Sequence, residues 1–360
     1  MISMNKKIRI GIITFANSDN VGAVLQAFGL QQYLNKNNKV ITEIINYSNE
    51  KVEGVQSKTK ESSGKLEGLK KKFLQFYHLY KNRSFEKFRK RYLIYSKNKY
   101  NRETIKNCVQ NYDIFITGSD QVFNLSCSDY DYSFFLDFVP NNKLKYSYAA
   151  SGGNHIPPKK EVAKVKKLLQ AFDKISVREN SCALKYGVDE SKGFAVSLDP
   201  IFLLPVDTWE SIMSKKLCKN KYVFVYLISF DKNVLNKANE YAKENGYKVI
   251  CNKTSLEFIS HGSPTDFLSW VYHAEAVFTN SFHGTAFSVL FNKKLGASLQ
   301  MANGFKNNRI EELLEMLECK DCIMDNNGHM AKQTKKSKAF NLYLKESSRY
   351  LDDICNNRKK

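Results

Sequence analysis

Residues 276–288 read AVFTNSFHGTAFS, an apolar run that passes through a polar tip into a second apolar segment. Val277 and Phe278 suit a buried strand, and Ser281 can cap a helix with an apolar side up to residue 291. A helix that begins at the carboxyl end of a parallel strand offers free backbone N–H groups and its positive dipole end to anions. The segment therefore predicts an α/β fold with a parallel sheet, and it predicts that an anionic ligand binds beside His283.

The same strand-and-helix pattern recurs along the 360 residues. Strands are predicted at 7–15, 39–46, 113–117, 144–150, 174–177, 222–228, 247–251, 275–279 and 294–299. The pattern shifts between residues 199 and 207, where two prolines stand, so we place a domain junction there. We predict two Rossmann-like α/β domains facing a cleft, at 1–205 and 206–333, and a terminal helix at 334–360 that can pack back on the first domain.

Residues 51–107 are predicted to form a basic aromatic helical insertion in the first domain, after a polar loop at 56–68. The chain has 56 Lys and Arg against 36 Asp and Glu, a formal net charge of +20, which favours acidic partners. The insertion is either an amphipathic helix with a solvated basic side or a docking face for an anionic lipid or lipid-linked diphosphate saccharide. No recognisable nucleic-acid module accompanies it, so we expect no nucleic-acid partner.

Several short motifs occur in a characteristic order and spacing. They are NVGAVLQ at 20–26, GSDQVF at 118–123, SVRE at 176–179, DP at 199–200, SFHG at 281–284 and RI at 309–310. Together they resemble the polysaccharide pyruvyl transferase family over most of the chain. The resemblance implies the GT-B arrangement of two domains and transfer of pyruvate from phosphoenolpyruvate to a sugar as a ketal. In several members an Arg two residues before the His is proposed to hold phosphoenolpyruvate, whereas this chain has Ser281.

Ketal formation needs cations for a carboxylate and a phosphate, an acid for the methylene carbon and a base for the sugar hydroxyls. We predict His283 as the acid or acid/base, unless it merely packs against the sheet. Arg178 is a candidate bidentate clamp, and Arg309 is a second one that partly compensates for Ser281. Pairing with Glu179 or a helix-cap salt bridge would explain these arginines equally well.

Further candidates follow predicted strands. Asp120 could be the base for the acceptor hydroxyl or a plain helix cap. Asn20 and Gln121 can donate hydrogen bonds to a sugar or carboxylate, and Asp199 either fixes the hinge or binds sugar hydroxyls. Ser281 and Gly284, at the start of the helix, complete the predicted substrate-binding set.

Other chemistries lack their sequence patterns. No glycine loop matches a dinucleotide or Walker motif, and no acidic or His cluster has metal-ligand spacing, so we predict no metal and no cofactor beyond the donor substrate. The eight scattered cysteines suit a reducing compartment, and the C-x-x-C at 319–322 is interpreted as structural. No segment approaches the roughly 20 apolar residues of a membrane span. We expect a cytoplasmic protein that can touch the anionic inner face of the membrane.

The predicted activity is therefore transfer of pyruvate to a hexose of a bacterial surface polysaccharide precursor, such as a capsule or cell wall polysaccharide, on a lipid-linked acceptor. Two alternatives remain open. One is a GT-B glycosyltransferase that uses a nucleotide sugar, which would need room for a base and ribose in the second domain. The other is a non-catalytic sugar- or anion-binding relative, suggested by Ser281.

Overall fold

The computed structural model describes residues 7–54, 65–187, 194–300, 306–324 and 332–357. The first domain is built on a parallel sheet with the order β3-β2-β1-β4-β5. Its strands are β1 (Ile8–Ile13), β2 (Val40–Tyr47), β3 (Tyr95–Tyr100), β4 (Ile114–Thr117) and β5 (Leu144–Ser147). A parallel pair, β6 (Ile175–Val177) and β7 (Phe194–Val196), continues the sheet beyond β5 through single bridges. The helices are α1 (Val21–Asn35), α2 (Glu50–Glu53), α3 (Lys65–Tyr92), α4 (Lys159–Gln170) and α5 (Asn180–Lys185).

The second domain has a five-stranded sheet in which only the last strand is antiparallel. The order is β12-β11-β10-β8-β9, with β8 (Tyr222–Tyr226), β9 (Lys248–Cys251), β10 (Ala276–Thr279), β11 (Lys294–Ala297) and β12 (Lys332–Gln333). The helices are α6 (Val206–Ile212), α7 (Lys232–Asn245), α8 (Leu256–Ser260), α9 (Pro264–Tyr272), α10 (Phe282–Leu290), α11 (Asn308–Met316) and α12 (Lys338–Asn356).

The predicted fold class is confirmed: the chain is α/β, with two parallel sheets in a GT-B-like arrangement. The central strands β4, β8 and β10 are buried at every position, as expected for strands covered by helices on both faces. Such strands read as continuous apolar runs, which is why their positions could be predicted. Their carboxyl ends point to the cleft between the domains, where open α/β sheets bind ligands.

The insertion differs from its prediction in two places. Residues 95–100 form the edge strand β3 instead of continuing the helical insertion predicted at 51–107. Its lysines at 97 and 99 are exposed, and such charges are typical of an edge strand. The loop prediction for 56–68 is wrong at its end, because α3 begins at Lys65. Residues 55–64 lie outside the described residues.

An apolar interface joins the two domains. The rings of Phe28 on α1 and Trp209 on α6 are 5.4 Å apart, and Trp209 lies 5.1 Å from Phe287 on α10. Gly29 on α1 also approaches the domain junction, since a Cβ at this position would lie 2.7 Å from the carbonyl oxygen of Pro200. A large apolar interface restricts relative domain motion, so the cleft has a defined shape.

The terminal helix α12 lies on the first domain. Tyr350 donates a hydrogen bond to the carbonyl oxygen of Ser147 at 2.9 Å, and Ser347 Oγ accepts one from the backbone of Leu198 at 2.9 Å. Among the described residues, no helix combines the length and the apolar character needed to span a bilayer.

Two leucines on α12 test this packing with the same substitution. Leu351 is completely buried, whereas Leu342 is 56% exposed. We expect Leu351→Ala to lower the free energy of unfolding by about 2–5 kcal/mol, because it removes buried methyl groups and leaves a cavity. Leu342→Ala should change it by less than about 0.5 kcal/mol. Urea denaturation of both variants measures this, and equal effects would mean that α12 does not pack as described.

Candidate active site

A pocket of about 100 Å³ lies in the cleft where the carboxyl ends of the two sheets meet. Both domains contribute to its wall, through the start of α1, the loop after β4 and the start of α10. Six of the predicted site residues line it: Asn20, Asp120, Gln121, Ser281, His283 and Arg309. The prediction that these side chains follow strand ends and share a cleft therefore agrees with their positions.

Two helix N-termini open onto this pocket. Ser281 caps α10, with its Oγ accepting a hydrogen bond from the Gly284 backbone at 3.2 Å. Asn20 caps α1, with its Oδ1 accepting from the backbone of Gly22 at 2.9 Å. Each helix end places a partial positive charge at the pocket, and anions bind favourably at such points. The two ends together make the pocket suitable for an anionic ligand.

His283 is held between the domains. A Cβ on Gly22 would lie 1.9 Å from its Nδ1, so only glycine allows α1 to approach the imidazole this closely. On the opposite side, His283 Nε2 lies 3.6 Å from Asp199 Oδ2 and has no hydrogen-bond partner among the described residues. The imidazole therefore lines the pocket with the carboxylate of Asp199 beside its Nε2.

Arg178 does not line the pocket, although it is a predicted clamp. Its side chain is only 2% exposed, Nη1 donates to Asp199 Oδ2 at 2.9 Å, and Nε lies 3.6 Å from Glu179. The guanidinium lies 3.9 Å from the centre of the Phe282 ring. Arg178 thus forms part of the pocket's support, and the alternative of pairing with Glu179 or another carboxylate describes its surroundings better.

The pKa values of the two carboxylates beside Arg178, Asp199 and Glu179, are shifted in opposite directions. Burial alone would raise the pKa of Asp199, but the imidazole of His283 and the guanidinium of Arg178 outweigh it and hold this pKa well below its usual range. Burial raises the pKa of Glu179, although Arg178 and the hydroxyl of Ser151 oppose that shift. Asp199 is therefore a permanent anion, and Glu179 is the acid in this cluster that protonates more readily.

Arg309 is the arginine that faces the pocket. It forms no ion pair with any described residue, and its Nε is buried without a hydrogen-bond partner. Burial and the nearby charge of Arg178 lower its pKa from the usual arginine value. The side chain is partly exposed and has no carboxylate partner among the described residues, so this position suits a bound anion. The predicted alternative of a helix-cap salt bridge is not found among the described residues.

Asp120 lies in a strained turn at the pocket. Its φ of 71° is in the left-handed region, which non-glycine residues enter at a cost of about 1–3 kcal/mol and often at functional sites. No helix starts here, so the helix-cap alternative is wrong: the next helical turn begins at Leu125 and is capped by Asn124. Gln121 beside it accepts a hydrogen bond from Asn124 at 3.0 Å.

Two predicted binding residues lie behind the pocket wall. Gly284 is buried where α10 approaches β10, and a Cβ there would lie 2.5 Å from Thr279 Oγ1. Asp199 is completely buried, and its carboxylate also accepts hydrogen bonds from Ser119 and from the backbone of Ile201. Neither residue lines the pocket. Close packing explains Gly284, and the junction role fits Asp199 better than contact with a sugar.

Sequence reasoning missed Asn307, a polar pocket residue. It is buried, lines the pocket and has an Oδ1 without a hydrogen-bond partner among the described residues. Its position after β11 was a usable signal, since all strand ends face the same cleft.

The C-x-x-C thiols lie away from this pocket. Cys319 and Cys322 are both buried in the apolar core. No group of three or more His, Cys, Asp or Glu side chains in the described parts of the chain could hold a metal ion.

The chain matches the polysaccharide pyruvyl transferase family over residues 20–295, and it therefore belongs to that family. No curated protein matches it. Among solved structures, it is similar to UDP-GlcNAc 2-epimerase from Neisseria meningitidis bound to UDP-GlcNAc, at 10% identity and a TM-score of 0.48, covering 97% of this chain and 94% of that one. UDP-GlcNAc 2-epimerase from Methanocaldococcus jannaschii has 12% identity and a TM-score of 0.46, covering 97% and 100%.

Asp199 provides a test of the buried network. We expect Asp199→Asn to lower the free energy of unfolding by about 3–5 kcal/mol at neutral pH, because Arg178 loses its main counter-charge. Since folding lowers the pKa of Asp199, its contribution is present above the unfolded value of about 3.9 and is lost as the pH falls towards the lower folded value. The difference between wild type and variant should therefore narrow below about pH 4.

Denaturant unfolding of wild type and variant, from neutral pH to below about pH 4, measures this difference in the free energy of unfolding. Asp353→Asn is the matched control, because Asp353 forms an exposed pair with Lys174 and should contribute less than about 1 kcal/mol. A loss for Asp199→Asn that is the same at every pH would contradict the electrostatic origin of its effect.

Proposed function

We propose that this protein transfers pyruvate from phosphoenolpyruvate to a hexose of a bacterial surface polysaccharide precursor and forms a pyruvate ketal. Family membership supports the transferase class. The observation that carries the proposal is the guanidinium of Arg309, which lines a pocket between two helix N-termini without a carboxylate partner among the described residues. Phosphoenolpyruvate has a carboxylate and a phosphate, the two groups that such a pocket would bind.

The size of the pocket favours this donor over a nucleotide sugar. Its volume is about 100 Å³, whereas pockets for drug-sized ligands are typically about 300–1,000 Å³. A small anion fits this space, while a base, a ribose and a diphosphate need considerably more. The acceptor sugar would then approach from the open side of the cleft, towards Asp120 and Gln121.

In the proposed reaction, Arg309 and the helix ends bind the donor anions, and protonated His283 transfers a proton to the methylene carbon. Asp199 Oδ2 lies 3.6 Å from Nε2, and the backbone of α1 at Gly22 packs against the Nδ1 side, so the imidazole is held between the two domains. The carbon that carries the phosphate becomes positively charged. Asp199 stabilises the charged imidazole before the transfer.

One sugar hydroxyl then adds to that carbon and loses its proton to a base, for which Asp120 is the candidate. The carbon–oxygen bond to phosphate breaks, and the second hydroxyl adds with loss of its own proton. The methylene group has become a methyl group, both hydroxyl oxygens are bonded to one carbon, and inorganic phosphate leaves. No cofactor or metal is needed for the balance of this reaction.

We also propose that the acceptor is lipid-linked and that the protein is cytoplasmic and contacts the anionic inner face of the membrane. The net charge of +20 supports this proposal, because a basic protein attracts anionic lipids and diphosphates.

Arg309 is the first residue to test. We expect wild type to bind phosphoenolpyruvate in isothermal titration and Arg309→Gln to bind it at least about tenfold more weakly, because a charge-assisted contact is lost. Arg349→Gln is the control, since Arg349 is exposed on α12 and does not line the pocket. If UDP binds to wild type and phosphoenolpyruvate does not, the glycosyltransferase alternative replaces the proposal.

His283→Gln separates catalysis from binding. We expect turnover to fall by about 10²–10⁴-fold, the usual contribution of a general acid, while phosphoenolpyruvate binding changes little. Release of inorganic phosphate from phosphoenolpyruvate, with hexosides that bear free neighbouring hydroxyls, measures turnover. His261→Gln, at an exposed position, should behave as wild type. Unchanged turnover in His283→Gln would remove this residue from the chemistry.

A further inference from the structure

A second and larger pocket lies between α3 and the beginning of α9. Its volume is about 410 Å³, and it is bounded by the first domain on one side and the second on the other. Tyr80 on α3 also donates a hydrogen bond to the carbonyl oxygen of Ser260, at the end of α8, at 2.7 Å. The helix of the insertion therefore reaches across to the second domain and encloses a space with it.

The α3 side of this pocket carries concentrated positive charge. Arg83, Lys87 and Arg91 line it at intervals of four residues, so they lie on one face of the helix. All three are exposed, and none forms an ion pair with a described residue. Their neighbours differ, because Arg89 pairs with Asp19 at 2.8 Å and Lys90 pairs with Glu86 at 2.6 Å. Arg83, Lys87 and Arg91 are thus cations without an ion-pair partner among the described residues, and all three face the pocket.

The opposite wall supplies hydroxyl groups. Ser214, Ser263 and Thr265 line it, and α9 begins there with Ser263 as its cap. Asp266 is the acid in this lining, and its two carboxylate oxygens accept hydrogen bonds from Ser214 Oγ at 2.5 Å and the Ser263 backbone at 3.1 Å. Its charge is thereby held in the capping box of α9. The three hydroxyls also hydrogen-bond one another, because Thr265 Oγ1 lies 3.0 Å from the Oγ atoms of both Ser214 and Ser263. The arginine and lysine side chains of α3 are therefore the groups of this pocket best suited to phosphate.

The second pocket adjoins the candidate active site. Asp266 lines the second pocket and the next residue, Phe267, lines the active-site pocket. The pair between Arg89 and Asp19 places α3 beside Asn20, which also lines the active-site pocket. Both pockets therefore border the beginning of α9.

We propose that the pocket between α3 and α9 binds the diphosphate of the acceptor, while the acceptor's sugar reaches the active site. This inference rests on the proposed function. Successive cations four residues apart stand about 6 Å from each other along the helix, so three of them can contact two linked phosphate groups. The insertion thereby selects acceptors that carry a diphosphate over free sugars.

The test uses inorganic pyrophosphate as the probe, titrated into the full-length protein with phosphoenolpyruvate already saturating. The pocket variant is the triple substitution Arg83→Gln, Lys87→Gln and Arg91→Gln. We expect wild type to bind pyrophosphate, the pocket variant to bind it at least about tenfold more weakly, and both to bind phosphoenolpyruvate equally. All three positions are exposed, so the variant should keep its thermal midpoint.

A second triple variant controls for net charge. Lys97, Lys99 and Lys106 are exposed outside both pockets, and changing them to Gln removes the same charge. This variant should bind pyrophosphate as wild type does. Equal weakening in both triple variants would show a general charge effect and overturn the proposal. So would pyrophosphate binding that the pocket variant retains, or that phosphoenolpyruvate abolishes in wild type.

Vesicles distinguish the acceptor's diphosphate from a membrane headgroup. Co-sedimentation with phosphatidylcholine vesicles containing phosphatidylglycerol should be the same for the pocket variant and the control variant. If the pocket variant loses vesicle binding but keeps pyrophosphate binding, the site recognises lipid headgroups and the proposal is wrong. Failure of phosphoenolpyruvate to bind wild type would remove the donor assignment, and pyrophosphate titration without the donor would still report on this pocket.

Discussion

The ion pair between Arg178 and Asp199 is the contact on which the site depends. It joins the carboxyl end of β6 to the segment after β7, and Ser119 after β4 donates to the same Asp199 oxygen at 2.9 Å. His283 of the second domain lies 3.6 Å from that oxygen. A buried charge without its partner is strongly unfavourable, so these groups are stable only as a set. The network therefore fixes three strand ends and the catalytic candidate in one geometry.

The two candidate arginines have different surroundings. Arg178 is neutralised by Asp199 and also lies near Glu179, whereas Arg309 has no acidic partner among the described residues. The guanidinium of Arg309 is partly exposed at the pocket and is therefore open to a bound anion. A site of this kind is preorganised, because the cation and its helix ends are in place before the ligand arrives. Under the proposed function, Arg309 at the start of α11 would supply the charge that Ser281 lacks.

The predictions from sequence were accurate where the course of the backbone alone decides where a residue lies. Apolar runs located the central strands, and polar residues just after them located the pocket, because strand ends in a parallel sheet converge. They were inaccurate where the direction of a side chain decides whether the residue lines the pocket. Arg178 and Arg309 look alike in the sequence, but one turns into a carboxylate cluster and the other into the pocket. β3 was missed because YSKNKY at 95–100 is polar, and an edge strand needs few apolar residues.

The helix α3 of the insertion has an apolar side and a basic side. Phe85 and Phe88 of α3 are buried, and Phe88 packs against Phe28 on α1 at 6.3 Å, so this side belongs to the apolar core. Arg83, Lys87 and Arg91, which line the pocket between α3 and α9, project from a different side of the helix. Because the same core joins α1 to the second domain, the docking of α3, the domain orientation and the contact between Gly22 and His283 are coupled. A change that loosened α3 would therefore also reach the imidazole, although the two lie in different domains.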